Sequence, residues 1–248
     1  MLKKLLALTL GALLITTPVS AAPAFVNSVG ADSIAPGSGI PATPAVDFTG
    51  VTQIIICTDH AFGSGTAPTD STSANTYTHI GTTATAGSFV HVEVWASQIN
   101  PTVTSSMTFT DNDTYDSIAV MGFSGMTVSS NFDQGASGTS ATSPVNSGSI
   151  TPTQNNEVLI SCLGVDGTAA PLATSVDSSY TKIWTSVASN SEILLAASYK
   201  IQTTAATTSP NWTYANTAAS AARVLSFKSG GAGPTAVNSN LLTLGVGQ

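Results

Sequence analysis

The chain has 248 residues, of which 8% are charged and 42% hydrophobic, with 13 acidic against 6 basic side chains. That length suits one large β domain or two small ones, and the low charge with positive mean hydropathy excludes a disordered chain. The net charge is −7, and no Lys or Arg occurs between residues 22 and 156, which excludes nucleic-acid binding by counterion release and disfavours anionic lipid. Divalent cations are the partners such a charge attracts.

Residues 1–21 read as a secretory signal peptide. Lys3 and Lys4 form its basic start, Leu5 to Ile15 an apolar stretch too short to span a bilayer, and Val19-Ser20-Ala21 the small residues before a cut. The expectation is an exported protein with no membrane span in its mature chain. One strand is expected over Ala24–Val29, followed by a loop punctuated by Pro36, Gly37, Gly39, Pro41 and Pro44.

Downstream the pattern is alternation with frequent turn residues, and no amphipathic helix emerges. Gln53-Ile-Ile-Ile-Cys57 and Glu157-Val-Leu-Ile-Ser-Cys162 are apolar runs of the kind buried at a sheet centre. Each opens a similar series: a tyrosine strand, a long strand, a short aromatic strand and an apolar strand ending near Phe123 or Phe227. Cys57 to Cys162 spans 105 positions, Tyr77 to Tyr180 103, Ile99 to Ile201 102 and Phe123 to Phe227 104. This near-constant offset points to an internal duplication, with halves at about 51–125 and 157–230. The predicted fold is all-β: an antiparallel two-sheet β-sandwich over residues 22–230, jelly-roll-like, about five strands from each half. Two small domains joined near Gly135–Ser149 are the alternative.

In Phe89-Val-His-Val-Glu-Val-Trp-Ala-Ser, Val90, Val92, Val94 and Ala96 form the core face. His91, Glu93 and Trp95 share the other face, read as solvated, covered by a partner, or a ligand site. His91 and Glu93 can ligate a metal if His60 and His79 are brought near by folding, and an exposed Trp95 can stack on a sugar. Asp111, Asp113 and Asp116 form the densest acidic cluster, in a turn between two strands. Oxygens at alternate loop positions suit Ca²⁺, though the stretch lacks the glycine and later glutamate of an EF-hand, and Asp and Asn are also ordinary turn formers. A second oxygen-rich turn spans Thr69–Asn75. Cys57 and Cys162 are either one disulfide or two buried thiols.

No nucleophile elbow, phosphate loop, dinucleotide fingerprint or zinc spacing occurs. A glycosidase pair among Glu93, Glu157 and Glu192 can form only in three dimensions. Residues 231–248 are a Gly-rich linker and an apolar tail. Its Leu241, Leu242, Leu244 and Val246 fold back, stay disordered, or add as a strand to a neighbouring subunit.

Phe25-Val-Asn-Ser-Val29, Asp70-Ser71 with Asn75-Thr-Tyr-Thr78, Val94-Trp-Ala96, Phe123-Ser-Gly125, Ser147-Gly-Ser-Ile-Thr-Pro-Thr153 and Asn156-Glu-Val-Leu-Ile160 together carry a resemblance. The chain resembles a widespread, mostly uncharacterised group of secreted bacterial and phage-associated β-sandwich surface proteins. The resemblance covers most of the mature chain, contains no catalytic motif, and implies an extracellular or virion-surface module for structure or attachment. The expected function is therefore an exported, non-enzymatic structural or surface-attachment protein, its partners itself, other surface proteins or glycans. A Ca²⁺-assisted carbohydrate-binding module is the second expectation and a secreted hydrolase the third.

Overall fold

The computed structural model describes residues 21–32, 41–61, 65–113, 116–167, 174–177, 179–187, 193–215 and 218–230. The expected leader up to residue 20 and the tail with Leu241, Leu242, Leu244 and Val246 lie outside these residues. Among the described residues there are strands and no helix. The first half supplies β1 (Ala24–Asp32), β2 (Gln53–His60), β3 (Thr69–Asp70), β4 (Tyr77–His79), β5 (Ala84–Ala86), β6 (Val90–Ser97), β7 (Phe109–Thr110) and β8 (Asp116–Ser124). The second supplies β9 (Phe132–Ser140), β10 (Val145–Asn146), β11 (Glu157–Asp166), β12 (Thr174–Val176), β13 (Thr181–Thr185), β14 (Ile193–Gln202), β15 (Asn211–Tyr214) and β16 (Ser220–Lys228).

Two large antiparallel sheets result, neither closed into a barrel. One has the order β1-β8-β2-β6-β4, with β5 also paired to β6. The other, read from its β9 edge, has the order β9-β16-β11-β14-β13. Strand for strand the orders correspond. The small sheets correspond as well: Ala42 bridges Thr110 and Val46 bridges Met107, while Asn146 pairs with Asn211 and Ile150 bridges Thr208.

β2 and β11 each hold the third place in their sheet and are covered on both faces, which is why their sequences are apolar without alternation. Ile55 and Cys57 face a core shared by both sheets, with Val92, Val94, Met121 and Phe123 from the first and Ile160, Leu195, Leu225 and Phe227 from the second. Ile54 and Ile56 face the other way, into a cluster with Phe48, Met107 and Phe109. The two cysteines form a disulfide at the centre of the shared core, with a Cα–Cα distance of 6.2 Å. Because the bridge closes a loop of 105 positions, it stabilises the fold by about 4–5 kcal/mol on the chain-entropy estimate.

Two expectations need correction. The face of β6 that carries Glu93, Trp95 and Ser97 is neither solvated nor waiting for a partner: all three are buried. Val46, Phe48, Met107 and Phe109 of the same chain cover it. The Gly135–Ser149 stretch is not simply a joint between domains, because Phe132–Ser140 is strand β9, paired along its length with β16. Its Gly- and Ser-rich sequence hides the strand because an edge position demands little apolar alternation.

Candidate metal centre

One end of the first sheet gathers polar side chains. β2 ends in Asp59-His60, β8 begins at Asp116 directly opposite His60, and His91 of β6 lies opposite His60 on the other side. Alternation along β2 sends Asp59 to the shared core and His60 to the outer face. The loop from β7 to β8 then adds Asp111 and Asp113. One carboxylate oxygen from each of Asp111, Asp113 and Asp116 lies within 4.8 Å of the other two. Oxygens that share one cation at about 2.4 Å cannot be farther apart than about 4.8 Å, and the three meet that limit.

The loop is held by its own neighbours. Asp111 takes the backbone N–H of Asn112 on Oδ1 at 2.8 Å, and its own N–H bonds to Pro41 O at 3.1 Å. The Thr66 backbone N–H and hydroxyl both donate to Asp113, and Asn112 Nδ2 donates to Ala67 O at 2.6 Å. These contacts engage both oxygens of Asp113 and one of Asp111. Both oxygens of Asp116, which is fully buried, and Oδ2 of Asp111 have no hydrogen-bond partner. An ionised carboxylate in that state carries a desolvation cost of several kcal/mol. Burial first, then mutual repulsion, pushes the Asp111 and Asp116 carboxyls well above the carboxylate range.

The turn at Thr69–Asn75 provides a control within the same chain. Asp70 Oδ1 accepts the N–H and hydroxyl of Thr72, and Oδ2 accepts Tyr77 OH at 2.7 Å and Asn75 Nδ2 at 2.9 Å. Burial raises the Asp70 carboxyl, but these donors outweigh it and hold it below the usual range. An acidic turn whose oxygens are all satisfied needs no cation, whereas Asp116 and Oδ2 of Asp111 find no donor among the described residues.

Next to the three aspartates, His60 and Glu93 form a buried pair, Nε2 to Oε2 at 3.5 Å, and the His60 ring stacks on His91 with centroids 5.3 Å apart. Glu93 Oε1 also accepts Thr83 Oγ1 at 2.7 Å. Burial alone would raise Glu93 and lower His60. The pair outweighs it, holding Glu93 near 2 and His60 above its ordinary value. Asp59, on the opposite face, accepts the His91 N–H on Oδ1 and has no partner on Oδ2, so burial lifts it to about 8. A Cβ at Gly164 would run into that oxygen.

The second half shows what this end of a sheet contains when it serves packing alone. Register about the two cysteines makes Val165 the counterpart of His60, Leu194 of His91, Ala196 of Glu93 and Ser220 of Asp116. The bridges Thr110–Ala42 and Asn211–Asn146 make Trp212 the counterpart of Asp111. Val165, Leu194, Ala196 and Trp212 are buried together in one apolar cluster. The same fold thus closes this region with hydrocarbon in one half and with carboxylates and imidazoles in the other.

Other predicted residues fall apart in space. Trp95 is buried, and its Nε1 donates to Thr58 Oγ1 at 3.2 Å, so its ring is not available for sugar stacking; the expected exposure is corrected. Glu157 begins β11 on the far side of the disulfide from Glu93, in the other sheet, and Glu192 lies outside the described residues. The structure does not bring Glu93 and Glu157 together. In sequence, His60 joins the site only through folding, and Asp59 carries no motif. Aligning Thr58-Asp-His60 against Leu163-Gly-Val165 marks both, because polar residues there replace core ones. No helix of the described residues is long and apolar enough to cross a membrane. No protein-family model, curated protein or solved structure matches the chain.

Proposed function

We propose that this chain is an exported, non-enzymatic β-sandwich module for structure or surface attachment, in which a divalent cation of the Ca²⁺ class fixes the loop end of the first sheet. The two matching sheets that share one core support the sandwich reading, and their common strand order supports origin by duplication. Asp111, Asp113 and Asp116 are the cation's protein ligands. An all-oxygen, carboxylate-rich set favours Ca²⁺, Mg²⁺ or Mn²⁺ over softer metals.

The observation that carries this reading is Asp116. It is fully buried with both oxygens unpartnered, facing two more carboxylates, where the corresponding Ser220 is satisfied by Tyr214 OH at 2.8 Å. A bound cation would supply the missing partner and tie the 111–116 loop to β8, giving a rigid loop end suited to attachment. Calorimetric titration of chelator-treated protein with Ca²⁺, Mg²⁺ and Mn²⁺ tests it. One ion should bind per chain, and Asp116→Asn should abolish that binding. Absence of binding by all three ions would remove the proposal.

A further inference from the structure

Arg223 is the only arginine in the chain, and its setting is unusual. It sits on β16 opposite Cys162, where the corresponding residue opposite Cys57 is the core alanine Ala119. Only 2% of it is exposed. Buried guanidinium groups are normally matched to a carboxylate. Among the described residues, however, no carboxylate lies within ion-pair distance of Arg223. Among the described residues its one hydrogen bond is Nη1 to Ile80 O at 3.2 Å, and Nε has no partner there. The other cations after the leader have partners: Lys228 pairs with Asp133 at 2.8 Å, Lys182 donates to Thr174 O at 2.6 Å, and Lys200 lies over the Tyr180 ring.

The guanidinium lines a surface pocket of about 250 Å³ at the seam between the two large sheets, where the loop after β4 meets edge strand β9. Gly81, Gly135 and Ser137 keep its walls low, and the Phe132 ring, 37% exposed, forms one side. Phe132 also borders a second pocket of about 380 Å³ lined by Thr78, Ile80, Gln98, Ser130 and Asn131. Hydroxyls and amides of this kind, beside a part-exposed aromatic ring, match the alternating C–H faces and hydroxyls of a sugar. The guanidinium matches a planar carboxylate. On a chain of net charge −7, a guanidinium with no carboxylate in ion-pair distance among the described residues, Glu93 acting on it only from farther off, is a feature that would hold an anion in place.

We infer that these two pockets form one groove for an acidic saccharide, its carboxylate on Arg223, its ring against Phe132 and its neighbouring residue in the Gln98 pocket. The site lies apart from the aspartate cluster and does not rest on the cation proposal. It moves carbohydrate recognition away from Trp95.

The test is calorimetric titration with a uronic-acid oligosaccharide, run in chelator so that cation bridging contributes nothing. The fully methyl-esterified oligosaccharide and inorganic sulfate are titrated in parallel. The uronate should bind, and the ester should bind at least tenfold more weakly. Ser137→Glu, on an exposed edge position, should weaken uronate binding at least tenfold without moving the melting curve, and Phe132→Ser should do so by loss of the ring face. Equal binding of acid and ester, uronate binding unchanged by Ser137→Glu, or no uronate binding would each overturn the inference. Sulfate binding as tightly as the uronate would overturn its saccharide part.

Discussion

The two halves of this molecule solve one packing problem in two ways. Beyond Cys162, Val165, Leu194, Ala196 and Trp212 close the end of the second sheet with apolar contacts. Beyond Cys57, the matching places hold His60, His91, Glu93 and Asp111, with Asp116 where the second half has Ser220. The fold therefore does not require polar groups there. The first half retains a cluster whose carboxylates repel one another and lack donors, and burial makes that unfavourable unless something of positive charge completes it. Arg223 is the reverse case, a cation in the second half where the first has alanine. In both places, departure from the shared pattern marks chemistry that packing does not explain.

The disulfide joins the halves at the centre of their shared core, so its removal should have the largest effect. Replacing Cys57 and Cys162 by alanine should lower unfolding free energy by about 2–5 kcal/mol in denaturant titration. A loss below about 1 kcal/mol would mean that the sheets hold together without it.

Exchanging residues between the halves comes next. Ala196→Glu places a carboxylate in the apolar cluster with no imidazole beside it, and should cost about 3 kcal/mol or more. The combined change His60→Val, Glu93→Ala and Asp116→Ser puts the second half's residues into the first. It should leave the circular dichroism spectrum unchanged and the stability in chelator within about 1 kcal/mol or higher, with all response to Ca²⁺ gone. If it unfolds the protein, the polar cluster is structural in its own right.

The dependence on pH sharpens the same contrast. Asp59, at about 8 in the fold against 3.8 ordinarily, is protonated in the folded chain at neutral pH and ionised in the unfolded one. Its contribution is whole below about pH 4 and disappears as pH rises through 8. Asp111, raised by burial and then by Asp113, and Asp116, raised by burial and then by Asp111, act in the same direction. His60, held up by Glu93, also loses its contribution as it deprotonates. Glu93, near 2, acts oppositely, its contribution lost only as pH falls below the carboxylate range. In chelator, stability should therefore fall between pH 5 and 8. Cation affinity should rise over the same interval, because binding displaces protons from Asp111 and Asp116.

Gly164→Ala is the most local change. Its Cβ would push against Asp59 Oδ2, and a shift of that carboxyl should cost about 1–2 kcal/mol in thermal melts without altering cation binding.

Much of the fold was legible because strand periodicity and the recurrence of Cys, Tyr and Phe landmarks are local signals. The central places of β2 and β11 followed from their unbroken apolar runs. β9 was not legible, since an edge strand such as Phe132–Ser140 carries no apolar alternation. Asp111, Asp113 and Asp116 stood out as a dense acidic turn. What set that turn apart from Thr69–Asn75 was not visible in sequence: Asp70 finds Thr72, Asn75 and Tyr77 as donors, and Asp116 finds none. Trp95 was misread because alternation tells which face a side chain takes, not what the rest of the chain lays over it. Arg223 gave no local signal, since its meaning lies in three dimensions, where no carboxylate among the described residues comes within ion-pair distance.

Thermal melting of the chelator-treated protein with and without Ca²⁺, beside Asp116→Asn, tests the central claim most directly. At a free ion concentration about a hundredfold above Kd, binding to the folded state adds about 2.7 kcal/mol, which for a chain of this size raises Tm by about 5–10 °C. The account predicts that rise for the native sequence and none for Asp116→Asn. Equal melting of the native protein with and without Ca²⁺, Mg²⁺ or Mn²⁺ would contradict it and leave the first half's polar cluster without a cation.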